Sequence, residues 1–270
     1  MENERSAPLP PPRAPENTVM SNIEREMTFS QSVASGVKVI FCTVVLVNQV
    51  QITIKSNKRR ELIPGTTECI EDIVMDITGP FNEWLWADLE NRMYPFAICS
   101  SAAMDIQILF IIGHWILYVD SWLWPITVLN FNLLRNGIQS IFTLRYPPNL
   151  WHDYPGVPSL LVPYGWTNDF FYSGHCGICV ICFLYCYNYA PGSFCRRYWM
   201  YFCVFTGLSN ITYMYGTRQH YTIDMFAGVI IAHYLWIIHS RLIHYWDDIF
   251  VGKPVDTEAN NPCSCKYKLV

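Results

Sequence analysis

Six stretches of the chain are long and mostly apolar: residues 33–54, 96–119, 121–143, 172–190, 198–215 and 222–243. A membrane-crossing helix needs about 20 such residues, so each stretch reads as one span. The first is the weakest, because Lys38, Asn48, Gln49 and Gln51 interrupt it. Residues 55–95 form a long connection that opens on the basic cluster KSNKRR. It continues as CIEDIVMDITGPFNEWLWADLENRM, acidic and aromatic, which suits a segment lying on a membrane surface. Residues 144–171, rich in Pro, Trp and Tyr, form a second connection. Residues 1–32 are polar, hold APLPPPRAPEN and lack an apolar signal-peptide core; they read as a disordered cytosolic tail with polyproline-II character. Residues 246–270 read as a second cytosolic tail, leaving 33–245 as the membrane domain.

An even number of spans puts both termini on one side. The turns leading into the fourth and sixth spans then lie together on the other side, which places DFFYSGH and GTRQHYTID at one membrane face. Basic residues do not say which face it is. Lys55, Lys58, Arg59, Arg60, Arg92 and Arg145 lie on the motif side, against Arg25, Arg196, Arg197 and Lys253 on the terminal side.

Composition agrees with a membrane protein. The chain is 51% hydrophobic, 16% aromatic and only 15% charged, where soluble domains carry about 25% charged residues. Ten Trp and seventeen Tyr suit the two membrane–water interfaces. A net charge of −4 gives no general basis for nucleic-acid binding. Of the eleven cysteines, Cys176, Cys179, Cys182 and Cys186 recur at three- and four-residue steps and share one helix face. Small residues that let helices pack closely explain this better than a metal site, since structural zinc sites lie on closed loops or knuckles. Cys263 and Cys265 follow the last span, as candidates for palmitoylation or as free thiols.

Three ionisable residues, Arg218, His220 and Asp224, crowd the start of the sixth span, where each costs about 2.5–3.5 kcal/mol on insertion scales. His220 and Asp224, four apart, stack on one helix face. A carboxylate beside one imidazole nitrogen holds the ring and makes the other nitrogen a better base or nucleophile. The same pair can also simply satisfy itself between packed helices. Ser173-Gly174-His175 opens the fourth span: Ser173 suits an N-cap, and Gly174 allows close backbone approach. Two helix N-termini, two histidines and an arginine thus converge, and such a constellation favours an anion such as phosphate. Asp169, four residues before Ser173, is placed to cap or orient that turn. Asp105 in the second span, which also holds His114, reads as packing or as a partner for a cation. Trp151, Tyr154, Tyr164, Trp166, Tyr172 and Tyr221 can anchor at the interface or hold a quaternary ammonium by cation–π contact.

DFFYSGHCG and GTRQHYTIDMFAG, with RNGIQSIFTLRYPP upstream, resemble the paired motifs of the lipid phosphatase-related head-group transferases, the sphingomyelin synthases and phosphatidylcholine:diacylglycerol cholinephosphotransferase. The resemblance covers residues 135–235 and implies an all-α integral membrane fold, the six-transmembrane-helix bundle of the type-2 phosphatidic acid phosphatase superfamily. It implies a catalytic set of His175, His220 and Asp224. His220 is then the nucleophile on phosphorus, Asp224 its orienting acid and His175 the proton shuttle. Arg218 and Arg135 would neutralise the phosphate, with Asp169 and Tyr221 beside the substrate. The implied reaction moves phosphocholine from a phospholipid donor to diacylglycerol or ceramide in the endoplasmic reticulum or Golgi membrane, with no cofactor and no metal. Two features depart from the simple phosphatases of that superfamily. No Arg-Pro dipeptide occurs, and Met214 stands where an Arg precedes the second histidine by six residues. Cys176 follows SGH where Thr or Val is more usual. A lipid phosphate phosphatase, a phospholipase C-like hydrolase and a non-catalytic lipid-binding protein remain the alternatives.

Overall fold

A computed structural model describes residues 33–47, 51, 70–141, 144–162, 164, 170–190, 192–243 and 245–247. Asp169, Trp166, Cys263, Cys265 and residues 1–32 and 248–270 lie outside the described residues. Residues 1–44 and 45–270 are two separate units. Helix α1, Val33–Val47, is apolar and too short to meet the length of a span. The remaining helices are α2 (Ile73–Ile77), α3 (Gly79–Trp86), a π-helical turn (Leu89–Met93) running into α4 (Tyr94–Tyr118), α5 (Leu123–Ile141), α6 (Gly174–Tyr189), α7 (Ser193–Thr217) and α8 (Thr222–Arg241). The described residues contain no strand.

The apolar stretches from residue 96 onward coincide with α4–α8 to within about five residues at each end. Two helices among the described residues are long and apolar enough to cross a membrane: Leu89–Tyr118 and α8. The other helices miss that standard for visible reasons. The 16 residues of α6 reach only about 24 Å at 1.5 Å each, less than a bilayer core of about 30 Å. Helix α5 carries Asn130, Asn132, Arg135 and Asn136, and α7 carries Arg196, Arg197, Ser209 and Asn210.

Helix α6 packs chiefly on α7 and α8, with α4 against α7 and α5 against α8. Cysteine spacing explains the first contact. Cys176, Cys179, Cys182 and Cys186 are all buried, with Cys186 Sγ 3.9 Å from Cys203 Sγ and Cys176 Sγ 4.0 Å from Met214 Sδ of α7. All are free thiols. They serve as the small packing residues that the spacing suggested.

Three polar side chains inside the helices find partners that join elements of the fold. Asp105 accepts the Ser159 hydroxyl at 3.0 Å and the amides of Leu160 and Leu161. It is therefore an anchor for the loop before α6. His114 Nδ1 meets the Tyr185 hydroxyl at 2.7 Å. His239 lies between Thr127 Oγ1 at 3.2 Å and Asn130 Nδ2 at 2.9 Å, joining α8 to α5.

Residues 70–93, expected to lie on a membrane surface, pack on one side over the ends of α7 and α8 and leave Ile73, Ile77 and Trp84 exposed on the other. Met75 packs with Phe170 and Tyr221, while Leu85 and Met93 enter a core with Trp151, Tyr213, Met214 and Met225. Apolar side chains at 75, 85 and 93 drive this burial.

Gly228 lets α8 approach the turn before α6. A Cβ there would fall on the backbone carbonyl oxygen of Ser173, which cannot rotate away. Gly113 in α4 has open space around its Cα. Gly228→Ala should therefore lower the thermal midpoint in detergent by several degrees, whereas Gly113→Ala should leave it unchanged or raise it, since Ala gains up to about 1 kcal/mol over Gly in a helix. Thermal scans of the two variants check this, and equal midpoints contradict it.

Candidate functional site

Ser173 caps α6: its backbone is extended (φ −72°, ψ 120°) and its hydroxyl oxygen accepts the Cys176 N–H at 3.4 Å. Helix α7 ends at Arg218, whose left-handed backbone (φ 58°, ψ 32°) reverses the chain and delivers His220 to the start of α8. That conformation is usual for Gly or Asn and costs a larger residue about 1–2 kcal/mol.

Asp224 ties the two motifs together. Its main-chain carbonyl accepts the Ser173 N–H at 2.8 Å. Its side chain accepts the Phe171 N–H on Oδ1 and the Tyr221 N–H on Oδ2, both at 3.1 Å. Oδ2 also stands 3.5 Å from His220 Nδ1. Phe171 has φ 102°, a strained value for an aromatic residue, and the carboxylate holds it there. Asp224 and His220 are 0% and 1% exposed.

The rings of His175 and His220 meet edge to face, with centroids 6.2 Å apart. Two groups that each reach a shared substrate atom over about 3 Å stand at such a separation. His175 is buried, yet neither of its ring nitrogens has a hydrogen-bond partner among the described residues. That sets it apart from His114 and His239. A buried polar group without a protein partner is free to meet a water or a ligand.

Arg135 reaches this place from α5. A Cβ on Gly174 would lie 3.0 Å from the Arg135 Cζ, so the guanidinium rests against the first residue of α6. The amides of Gly174 and His175 bond to nothing among the described residues. The N-terminus of α6 therefore offers amides, a guanidinium and an imidazole together. The N-terminus of α8 differs from expectation. Its Tyr221 amide is taken by Asp224, and its Thr222 amide by Asp72 Oδ2 at 2.6 Å.

Arg218 is buried and directs Nη2 to the Met75 carbonyl oxygen at 2.9 Å, so part of its fork is committed to protein. Tyr221 donates its hydroxyl to the Arg145 carbonyl at 3.0 Å and packs on Phe170. The other aromatic residues are also engaged in packing: Trp151 and Tyr154 both lie against Tyr164, and the Tyr172 hydroxyl bonds to the Phe131 carbonyl. The two departures at 176 and 214 touch one another. Met214 Sδ lies 3.4 Å from Ser173 Oγ and 4.0 Å from Cys176 Sγ, with no solvent exposure. A thioether fills the space beside SGH.

Asp72 and Asn82 are the residues that sequence reasoning missed. A weak signal exists: Asp72 precedes the apolar run IVM, as an N-cap does, and Gly79-Pro80 opens the next helix. Nothing local indicates that these helices meet α8.

Asp224→Asn should separate anchoring from chemistry. An amide has one acceptor oxygen for the two amides of Phe171 and Tyr221, so at least one charge-assisted bond of about 1.5–3 kcal/mol is lost. The thermal midpoint should fall by about 3–10 °C. Calorimetry in detergent reads this; an unchanged midpoint contradicts the anchoring.

Residues 167–241, which hold both motifs and α6–α8, match the family model described as PAP2 superfamily C-terminal. Comparison with curated proteins gives no match, and comparison with solved structures gives none. The family match supports the phosphatase-related superfamily and phosphoryl-transfer chemistry on lipids.

Proposed function

We propose that the protein is a six-span membrane enzyme that moves a phospho-head group, phosphocholine, from a phospholipid to the hydroxyl of diacylglycerol or ceramide. In this reading α1 and α4–α8 all cross a membrane of the endoplasmic reticulum or Golgi. The observation that carries the reading is His175: a buried imidazole with both nitrogens unpartnered among the described residues, 6.2 Å from a histidine that faces a buried aspartate. Such a pair suits two-step transfer through a covalent intermediate.

In this mechanism the Asp224 carboxylate faces His220 Nδ1 at 3.5 Å and orients the ring, leaving Nε2 to attack phosphorus. The P–O bond to the donor's glycerol breaks as the P–N bond forms, and protonated His175 gives its proton to the departing alkoxide. The acceptor hydroxyl then attacks phosphorus, the P–N bond breaks, and His175 takes the hydroxyl proton back. Arg135 and the first amides of α6 neutralise the phosphate oxygens, a task suited to a planar fork. Arg218 and Tyr221 support the turn beneath the substrate, and Asp169 would orient the SGH turn. The burial of His220, Asp224 and Met214 favours transfer over hydrolysis, because water is kept from the phosphohistidine.

Purified protein in mixed micelles, given head-group-labelled phosphatidylcholine and either diacylglycerol or ceramide, tests the reading. Label should enter a new lipid faster than it appears as soluble phosphocholine. Arg135→Lys, which keeps charge but loses the fork, should lower kcat/KM by about tenfold or more with an unchanged thermal midpoint. Soluble phosphocholine or inorganic phosphate as the main product would make the enzyme a hydrolase. Absence of turnover with every donor would make the site non-catalytic.

A further inference from the structure

The turn that carries His220 is held from outside both motifs. Residues 72–82 meet it at three points. Asp72 Oδ2 accepts the Thr222 N–H at 2.6 Å, and Asp72 Oδ1 accepts the Thr222 hydroxyl at 2.9 Å. Arg218 Nη2 donates to the Met75 carbonyl at 2.9 Å, and Asn82 Nδ2 donates to the Gly216 carbonyl at 2.6 Å. The Asp72 carboxylate also accepts the amides of Val74 at 3.1 Å and Met75 at 3.4 Å. One carboxylate therefore satisfies orphan amides at the first turns of two helices, α2 and α8, 150 residues apart in sequence. The Tyr215 hydroxyl, 3.0 Å from Thr222 Oγ1, completes the cluster from α7.

Residues 218–221 lie between two helices. Their course depends on where the first turn of α8 is pinned. Asp224 pins it from within the helix; Asp72 pins it from the opposite side, two residues beyond His220. We propose that Asp72 is a positioning residue for the transfer reaction: it fixes the first turn of α8 and so holds His220 in line with the phosphorus. The proposal rests on the reading of His220 as nucleophile. Asp72 touches neither histidine ring and no reacting atom, so its effect falls on the rate of attack and not on donor binding. A misplacement of about 1 Å in a reacting group costs about a hundredfold in rate, which makes such a remote anchor consequential.

Asp72→Asn is the sharpest variant, since the shape is kept while one acceptor oxygen becomes a donor. Its NH2 must then face either the Thr222 amide or those of Val74 and Met75. Three quantities decide the matter: hydrogen exchange over residues 216–226, the single-turnover rate of His220 labelling by p-nitrophenyl phosphocholine, and donor KM. Exchange over 216–226 should quicken about tenfold while that of residues 198–212 stays as in wild type. Labelling should slow about tenfold or more, with donor KM within about twofold. Thr222→Val, which keeps the amide bond and loses only the hydroxyl, should show a smaller effect in the same direction. Unchanged exchange, or quicker exchange with an unchanged labelling rate, overturns the positioning role. A wild type that takes no label on His220 overturns the nucleophile assignment and, with it, the proposal.

Discussion

The carboxylate of Asp224 is the constraint on which the site depends. It is fully buried, and a buried charge survives only when hydrogen-bonded or paired. Two amides and the His220 imidazole meet that requirement. In meeting it they bring the strained approach to SGH and the first turn of α8 to one point. The main-chain bond from Ser173 to Asp224, and Gly228 one turn on, then set the distance between the helices. Local satisfaction of one charge thus determines how two motifs 45 residues apart come face to face.

The site is asymmetric as a result. Both helix N-termini suggest anion binding when read from the sequence alone. Protein carboxylates take the Tyr221 and Thr222 amides at the start of α8, whereas Arg135 rests against Gly174 at the start of α6. The two arginines accordingly differ: one lies beside SGH and the other supports the turn through Met75. Met214 and Cys176 place sulfur beside SGH in place of charge.

Much of this was legible in the sequence. Five helices stood in the hydrophobic pattern, because apolar runs of that length report helices directly. The sequence reading placed SGH and HYTID together, and the structure joins them through the bond from Ser173 to Asp224 and the facing rings of His175 and His220. Membrane-crossing capacity was less legible, since α5 and α7 carry Asn and Arg residues and α6 is short. The work of Asp105 was ambiguous until Ser159 and two loop amides were seen around it. What the segment from Asp72 to Trp86 packs against was not legible. Its contacts reach partners more than 130 residues away, and no periodicity within the segment encodes them.

The central claim is that His220 carries the head group while His175 moves the proton. Rapid denaturation and mass spectrometry of His175→Ala protein after mixing with p-nitrophenyl phosphocholine tests it most directly. This donor has a leaving group that needs no protonation, and the variant lacks the base for the second step. The account predicts an acid-labile phosphocholine adduct that accumulates on His220 and is absent from His220→Ala. An adduct on another residue, or activity of His220→Ala restored by the activated donor, would contradict it.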